Sequence, residues 1–138
     1  MNKTMLRSLV GVLALVAGLA HAGPRGVTTE TILEADMTIL GQAFVYPEGT
    51  AKITMAVLTV PPHATIALHE HPVPLAAYIL QGEIVVDYQG IGEIRYRKGD
   101  AFVEAFNVPH SAYNGGRGKV MILTVYAGAE GVPNAIFE

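Results

Sequence analysis

The sequence predicts an all-β domain of the sandwich or barrel type, and two observations lead to this class. Short runs of apolar and β-branched residues end at turn residues: 52–60 ends at Pro61-Pro62, 75–80 at Gln81-Gly82 and 84–88 at Gln89-Gly90. No window of about 11 residues after position 22 has a convincing helical period. Short strands at close spacing are typical of sandwiches and barrels. The other predicted strands cover 40–46, 94–97, 101–105, 111–113 and 119–126.

The first 22 residues have the pattern of a secretory signal. Lys3 and Arg7 precede an apolar run at 9–19, and Ala20-His21-Ala22 is a small-x-small cleavage site. The 11-residue run is too short to span a bilayer, which needs about 20 apolar residues. We expect cleavage after Ala22, a periplasmic or secreted protein, and no membrane association afterwards. An uncleaved membrane anchor is the alternative.

The chain after the predicted signal is long enough for one domain with one core. We divide it into an N-terminal arm, 23–39, and a β-barrel domain, 40–138. Residues 23–138 carry a formal charge of −5 without a basic cluster, so we expect no nucleic-acid partner. The chain has no cysteine, which excludes disulfides.

The stretch His69-Glu70-His71-Pro72-Val73-Pro74 carries the strongest chemical signal. Two histidines at i and i+2 on a strand point to the same side, because side chains alternate faces. A third, His110, follows after 38 residues. Three neutral imidazoles favour a divalent transition metal, whereas two buried unpaired imidazoles would be costly. The alternative is ordinary surface or hydrogen-bonded histidines, which is our interpretation of His63 in the Pro61-Pro62-His63 turn.

These residues resemble the two sequence motifs of small single-domain cupins. Residues 62–82 are similar to the first motif, with Gly82 at its closing glycine, and residues 99–114 to the second, with Asn114 at its terminal asparagine. The resemblance covers about 40–126, and it extends to small exported bacterial cupins with the same His-x-His-Pro-Val-Pro run. It implies a cupin-type double-stranded β-helix, a jelly-roll barrel, with His69, His71 and His110 as metal ligands. It implies no particular reaction.

The chain departs from the cupin pattern in both motifs. Metal-binding cupins usually carry a glutamate after three or four further residues beyond the second histidine, and here that window holds Leu75 and Ala76. In the second motif Ala105 and Asn107 replace the usual proline and glycine. Asparagine tolerates the left-handed backbone conformation that glycine would supply, so we expect that conformation at Asn107.

Glu104 is the candidate replacement for the missing carboxylate. Alternation places it on the same face as Phe102, which in the cupin pattern faces the barrel interior. Burying an unpaired carboxylate costs several kcal/mol of free energy. A metal held by the imidazoles would supply the partner that offsets this cost. We predict that Glu104 is a fourth metal ligand, or else a hydrogen-bonding group or general base beside the metal. The alternative is a twisted strand with Glu104 in solvent.

The predicted site favours metal-dependent chemistry on a small oxygenated organic compound. Zn, Cu, Fe, Mn and Ni all suit the ligands, with Cu and Zn favoured by intrinsic affinity outside the cytoplasm. Arg95 and Arg97 should face outward, so no basic side chain faces inward to bind a polyanion. We predict an enzyme of the oxygenase, isomerase or lyase type. The predicted pocket walls are Leu75, Ala77, Ile79, Phe102, Met55 and Val57.

Two alternatives to an enzyme remain open. The first is a non-catalytic cupin that binds a metal or small ligand, and the second is a metal-free structural cupin in which Leu75 marks a lost site. A homodimer is compatible with the arm and the outer face of a small barrel, which offer exposed edges.

Overall fold

The computed structural model describes residues 21–22 and 26–138. The predicted secretory signal, apart from the backbone of 21–22, lies outside the described residues. The described part of the chain is built of β-strands and contains no α-helix. No helix within it is long and apolar enough to span a membrane. The strands are β1 (His21–Ala22), β2 (Thr28–Thr29), β3 (Ala51–Val60), β4 (Thr65–Glu70), β5 (Leu75–Gln81), β6 (Glu83–Tyr88), β7 (Gly92–Arg97), β8 (Ala101–Val103), β9 (His110–Tyr113), β10 (Val120–Ala129) and β11 (Ile136–Phe137).

The chain divides into two units, Met1–Ile32 and Leu33–Glu138. In the described part of the first unit, β1 pairs with β2 in antiparallel register. The second unit contains a four-stranded sheet in the order β3-β10-β5-β8 and a five-stranded sheet in the order β11-β4-β9-β6-β7. Its pairings are antiparallel, which confirms the predicted all-β class. The boundary predicted between an arm and a domain at residue 40 stays a prediction.

The core of the second unit lies between its two sheets. Alternate residues of β5 and β6 are buried while their neighbours are not, as period-2 patterning predicts. Aromatic and aliphatic residues from both sheets meet in one cluster. Its largest members include Ile79, Ile84, Tyr88, Tyr96, Phe102 and Ile122.

Asn114, at the end of the second motif, ties two turns together from a fully buried position. Its side-chain amide donates to the carbonyls of Val60, Pro61 and Gly118, at 3.1, 3.0 and 2.9 Å respectively. Its Oδ1 accepts from the backbone N–H of Gly116 at 3.0 Å. Because both polar atoms have partners, burial of this amide carries no desolvation penalty from unmade hydrogen bonds.

The strand predicted at 40–46 is wrong. The structure has only an isolated bridge between Met37 and Ala43 there, and the backbone turns between them. The Thr38 hydroxyl accepts hydrogen bonds from the N–H groups of Leu40 and Gln42, and Gly41 has a φ of 73°. A side chain that bonds nearby backbone groups competes with strand pairing, so the apolar run does not become a strand.

The edge strand β3 is exposed on the face that carries Met55 and Val57. These residues lie opposite Val125 and Leu123 in the register with β10, whereas Thr124, between those two, is buried on the other face. The exposed fractions of Met55 and Val57 are 65% and 50%. The prediction that they line the pocket is therefore wrong. The face with Met55 and Val57 is the more apolar one in sequence, since the other carries Lys52 and Thr54, so hydrophobicity selects the outward face.

Candidate metal centre

Three histidines meet inside the second unit. His69 is near the end of β4, His71 is one residue beyond it, and His110 begins β9 directly opposite His69 in the strand pairing. All three are buried, and their ring centroids lie 4.4, 4.9 and 5.1 Å apart. One ring nitrogen of each lies within 4.8 Å of those of the other two. The structure thus brings together the three histidines that the sequence singles out.

Each imidazole has its Nδ1 atom on a backbone carbonyl. The partners are Ala67 for His69 at 2.7 Å, Asn134 for His71 at 2.8 Å and Val108 for His110 at 2.8 Å. A carbonyl only accepts, so Nδ1 carries the proton and Nε2 keeps its lone pair. All three rings therefore present the nitrogen that can bind a metal.

Burial also favours the neutral form of these rings. Desolvation lowers the pKa of His69 and of His110 below the ordinary value of 6.5, and it lowers the pKa of His71 to about 4. A neutral imidazole is the form that coordinates metals, since protonation occupies the lone pair. The three histidines are consequently ready to act as ligands at neutral pH.

Glu104 lies beside this group and is buried, together with Phe102, Val103 and Ala105, so the burial is not confined to one alternating face. Its Oε1 accepts hydrogen bonds from the Tyr88 hydroxyl at 2.6 Å and from the Ala105 N–H at 2.7 Å. Its Oε2 lies 3.9 Å from Nε2 of His110. Burial raises the pKa of this carboxyl above its ordinary value, against the two hydrogen bonds, which lower it. Glu104 is outside the convergent set of three imidazoles, and its predicted role stays a prediction.

Glu104 lies opposite Leu75, the residue that stands at the expected glutamate position of the first motif. The Glu104 N–H donates to the Leu75 carbonyl at 2.9 Å, continuing the register in which Ala77 pairs with Phe102. Residues opposite each other on paired strands share a face of the sheet. The side chain of Glu104 thus lies on the same face as Leu75, the residue at the expected glutamate position of the first motif.

A chain of phenols supports the carboxyl group. The Tyr88 hydroxyl lies 2.8 Å from the Tyr96 hydroxyl, and burial raises the pKa of both phenols, so both stay protonated. Tyr88 therefore donates to Glu104 and accepts from Tyr96. Tyr96 in turn stacks on Phe102 with ring centroids 3.7 Å apart. Leu75, Ala77, Ile79 and Phe102 are buried, and their predicted role as pocket walls stays a prediction.

Three aromatic side chains at the site were missed by sequence reasoning. Tyr88 lies next to His110, Tyr126 next to His71 and Phe137 next to His69, with centroid distances of 5.5, 5.7 and 5.1 Å. Tyr88 and Tyr126 had a detectable signal, because each shares a period-2 face with buried residues of its own strand. Phe137 had none, since it lies in a two-residue strand at the end of the chain.

The outer face of the five-stranded sheet carries a separate surface groove of about 660 Å³, and none of the three histidines lines it. Arg95 and Arg97 lie on this exposed face, as predicted, and both pair with Glu83. Ion pairs this exposed contribute little to stability. The chemistry of the donor set, rather than the size of the concavity, identifies the histidine cluster as the candidate site.

The family model for the cupin domain matches residues 56–126, just over half of the chain. No curated protein sequence matches the chain. Among solved structures, an uncharacterized conserved protein with a double-stranded β-helix domain from Klebsiella pneumoniae is 20% identical, with a TM-score of 0.53 over 62% of this chain and 73% of that one.

Two enzymes have the same fold, and their sequence identities and TM-scores are similar to those of the Klebsiella protein. Oxalate decarboxylase from Bacillus subtilis is 22% identical, with a TM-score of 0.54 over 62% of this chain and 23% of that one. The DMSP lyase of Ruegeria pomeroyi is also 22% identical, with a TM-score of 0.53 over 62% of this chain and 42% of that one. The chain thus spans less than half the length of either enzyme. These likenesses confirm the double-stranded β-helix, and with the family match they show that the chain belongs to the cupin family.

Proposed function

We propose that this chain is an exported cupin that binds a divalent transition metal through His69, His71 and His110 and uses it to transform a small oxygenated organic compound. One observation carries the proposal: three buried imidazoles, each with Nδ1 bonded to a carbonyl, bring ring nitrogens within 4.8 Å of one another. Burying three such polar groups together costs free energy, and binding a shared metal ion is the arrangement that best compensates for this cost.

The donor set fits the proposed group of metals. Neutral imidazoles suit Zn, Cu, Fe, Mn and Ni, and the lowered pKa values keep all three rings neutral at pH 7. A bound divalent ion would polarise a carbonyl or enol oxygen of the substrate. Three protein ligands leave a position for substrate, which is typical of catalytic sites, whereas structural sites are closed by four.

Glu104 supplies the proton chemistry in this proposal. Tyr88 and the Ala105 N–H fix Oε1, so the carboxyl group is held with Oε2 near the ring of His110. A carboxyl placed in this way accepts a proton from a bound substrate and returns it at another atom. Ala77, Ile79 and Phe102 are buried apolar residues, and in this proposal they would help to exclude water from the site.

The reaction class is the coarsest part of the proposal, and it includes oxygenase, isomerase and lyase chemistry. Two structures with the same fold are named as a decarboxylase of oxalate and a lyase of DMSP. Both names describe enzymes that act on small molecules, which supports an enzyme over a purely binding protein.

Metal content tests the core of the proposal. We expect near-stoichiometric metal by mass spectrometry in the untagged wild-type protein and almost none in His71→Ala. His63→Asn is the matched control, because His63 is exposed in a turn outside the cluster, at a φ of 61° that asparagine tolerates, and it should keep its metal. Glu104→Gln should also keep metal while losing turnover; loss of metal there would make Glu104 a fourth ligand. A wild-type protein that contains no metal, and takes up none of the five candidates, contradicts the proposal.

Export is a separate part of the proposal, and it rests on the signal pattern at 1–22. Expression of the full chain should give a periplasmic or secreted protein whose first residue, by N-terminal sequencing, is Gly23. A cytoplasmic product that retains Met1 would contradict it.

A further inference from the structure

The last residues of the chain lie against the candidate metal centre. In this C-terminal segment, 134–138, strand β11 pairs with β4 so that Ile136 is opposite Glu70 and Phe137 is opposite His69. The Glu138 N–H also donates to the Leu68 carbonyl at 3.2 Å. The segment is thus attached to the strand that carries the first site histidine.

The C-terminal segment supplies the hydrogen bond that orients His71. The Asn134 carbonyl accepts from Nδ1 of His71 at 2.8 Å, across a sequence separation of 63 residues. The corresponding carbonyls for His69 and His110 come from residues only two positions before them. The orientation of His71 therefore depends on a remote piece of chain, whereas each of the other two rings is oriented within its own neighbourhood.

Phe137 makes the second contact, with His69. The two rings are stacked, with centroids 5.1 Å apart and an interplanar angle of 23°. Phe137 is otherwise 62% exposed, so the residue gains little from core burial. Since residues opposite on paired strands share a face, the neighbouring Ile136 belongs to the opposite face, with Glu70.

We propose that the C-terminal segment is a positioning element of the metal site, with Phe137 as its positioning residue. The Asn134 carbonyl sets the tautomer and direction of His71, and the Phe137 ring restricts the plane of His69. This inference rests on the proposed function, namely that the three histidines bind a metal. Groups that orient metal ligands without touching the metal typically change affinity by about 10–100-fold when they are removed.

Cobalt binding by the full chain tests this role without any assay of turnover. Co²⁺ would be titrated into metal-free protein and followed by its visible absorption bands, which report ligand geometry. We expect Phe137→Ala to weaken Co²⁺ binding by about tenfold and to alter the bands. Phe137→Tyr keeps the stacked ring and should restore both. Ile136→Ala, on the same strand but the opposite face, is the matched control and should bind as the wild type does.

The outcomes separate the two proposals. Wild-type affinity and bands in Phe137→Ala, or an equal loss in Ile136→Ala, would overturn the positioning role while the metal site stands. If the wild type binds neither Co²⁺ nor any of the five candidate metals, the proposed function is overturned and, with it, this inference. Unfolding midpoints of the metal-free variants will show whether weakened binding is caused by loss of folding. If Phe137→Ala is unstable, the comparison of Phe137→Tyr with the wild type keeps the test decisive.

Discussion

Single residues set the chemistry of this site through one backbone contact each. The carbonyls of Ala67, Val108 and Asn134 hold Nδ1 of the three imidazoles, and so leave each Nε2 free. The sequence predicts which histidines meet, because alternation and the two motifs place them. It does not predict the third of these carbonyls, since Asn134 is distant from His71 and belongs to a segment with no pattern of its own.

Asn107 is a residue whose backbone conformation the sequence does predict. Its φ is 52°, in the left-handed region expected from its place at the usual glycine of the second motif. Its N–H donates to the His71 carbonyl at 3.0 Å, which links the two motifs. The prediction of a left-handed conformation is therefore confirmed, and it leads to a stability test.

Replacing Asn107 with glycine and with alanine separates backbone conformation from side-chain contacts. Asn107 is exposed, so loss of its side chain should cost little in either variant. We expect Asn107→Gly to change the free energy of unfolding by less than about 0.5 kcal/mol and Asn107→Ala to lower it by about 1 kcal/mol, because only alanine is strained at positive φ. Urea unfolding measures both. Equal stability of the two variants would show that the left-handed backbone does not control the cost.

At the scale of elements, the turn between β5 and β6 is limited by a neighbour that is distant in sequence. Gly82 has a φ of 81°, and a Cβ there would lie 3.0 Å from the Lys119 carbonyl oxygen and 3.2 Å from the Cα of Val120. The closing glycine of the first motif is thus required twice, for its conformation and for the approach of β10.

Gly82→Ala should consequently cost more than an ordinary positive-φ glycine replacement. Gly90→Ala is the matched control, because Gly90 has a φ of 75° with nothing within 4 Å of the added Cβ. We expect Gly90→Ala to lower the free energy of unfolding by about 1 kcal/mol and Gly82→Ala by about 2–4 kcal/mol. The midpoint of urea unfolding gives the comparison. A similar loss in both variants would mean that the backbone at Lys119 and Val120 moves away without cost.

Elements were predictable where one face is clearly apolar and not elsewhere. The strands β5 and β6 alternate, so both their positions and their inward faces follow from the sequence. The strand predicted at 40–46 failed because the Thr38 hydroxyl and Gly41 favour a turn there. The two-residue β11 is held by pairing with β4 rather than by any local preference, so no window of sequence reveals it.

At the scale of the whole molecule, burying three neutral imidazoles makes stability depend on pH. Burial lowers the pKa of His69, His71 and His110, so below pH 6.5 the unfolded chain binds more protons than the folded one. We expect the metal-free protein to lose of order 1–2 kcal/mol of stability between pH 7.5 and pH 5, by urea unfolding with a chelator present.

Glu104 acts in the opposite direction and has to be removed from this comparison. Its raised pKa means that the folded state holds its proton more tightly, so stability increases as pH falls through its titration. In a Glu104→Gln background the loss between pH 7.5 and pH 5 should be at least as large as in the wild type. An unfolding midpoint that is unchanged or higher at pH 5 in that background would contradict the burial of neutral histidines.

The exposed face of β3 affects how whole molecules associate, and it supports the predicted homodimer. Ile53, Met55 and Val57 are exposed together on a ten-residue edge strand, and long apolar edges of this kind favour pairing with another chain. We expect light scattering to give a dimer mass for the wild type and a monomer for Met55→Lys. Ile91→Lys, at an exposed apolar residue outside this strand, should leave the dimer intact. A monomeric wild type at all concentrations would contradict the prediction.

The hydrogen bond from the Glu104 N–H to the Leu75 carbonyl has a consequence for how cupin sites can diverge. Two opposite positions on paired strands lie side by side on one face of the sheet. A functional group at either position therefore reaches the same part of the interior. If Glu104 acts beside the metal as proposed, the location of a carboxylate in the interior matters more than which strand provides it.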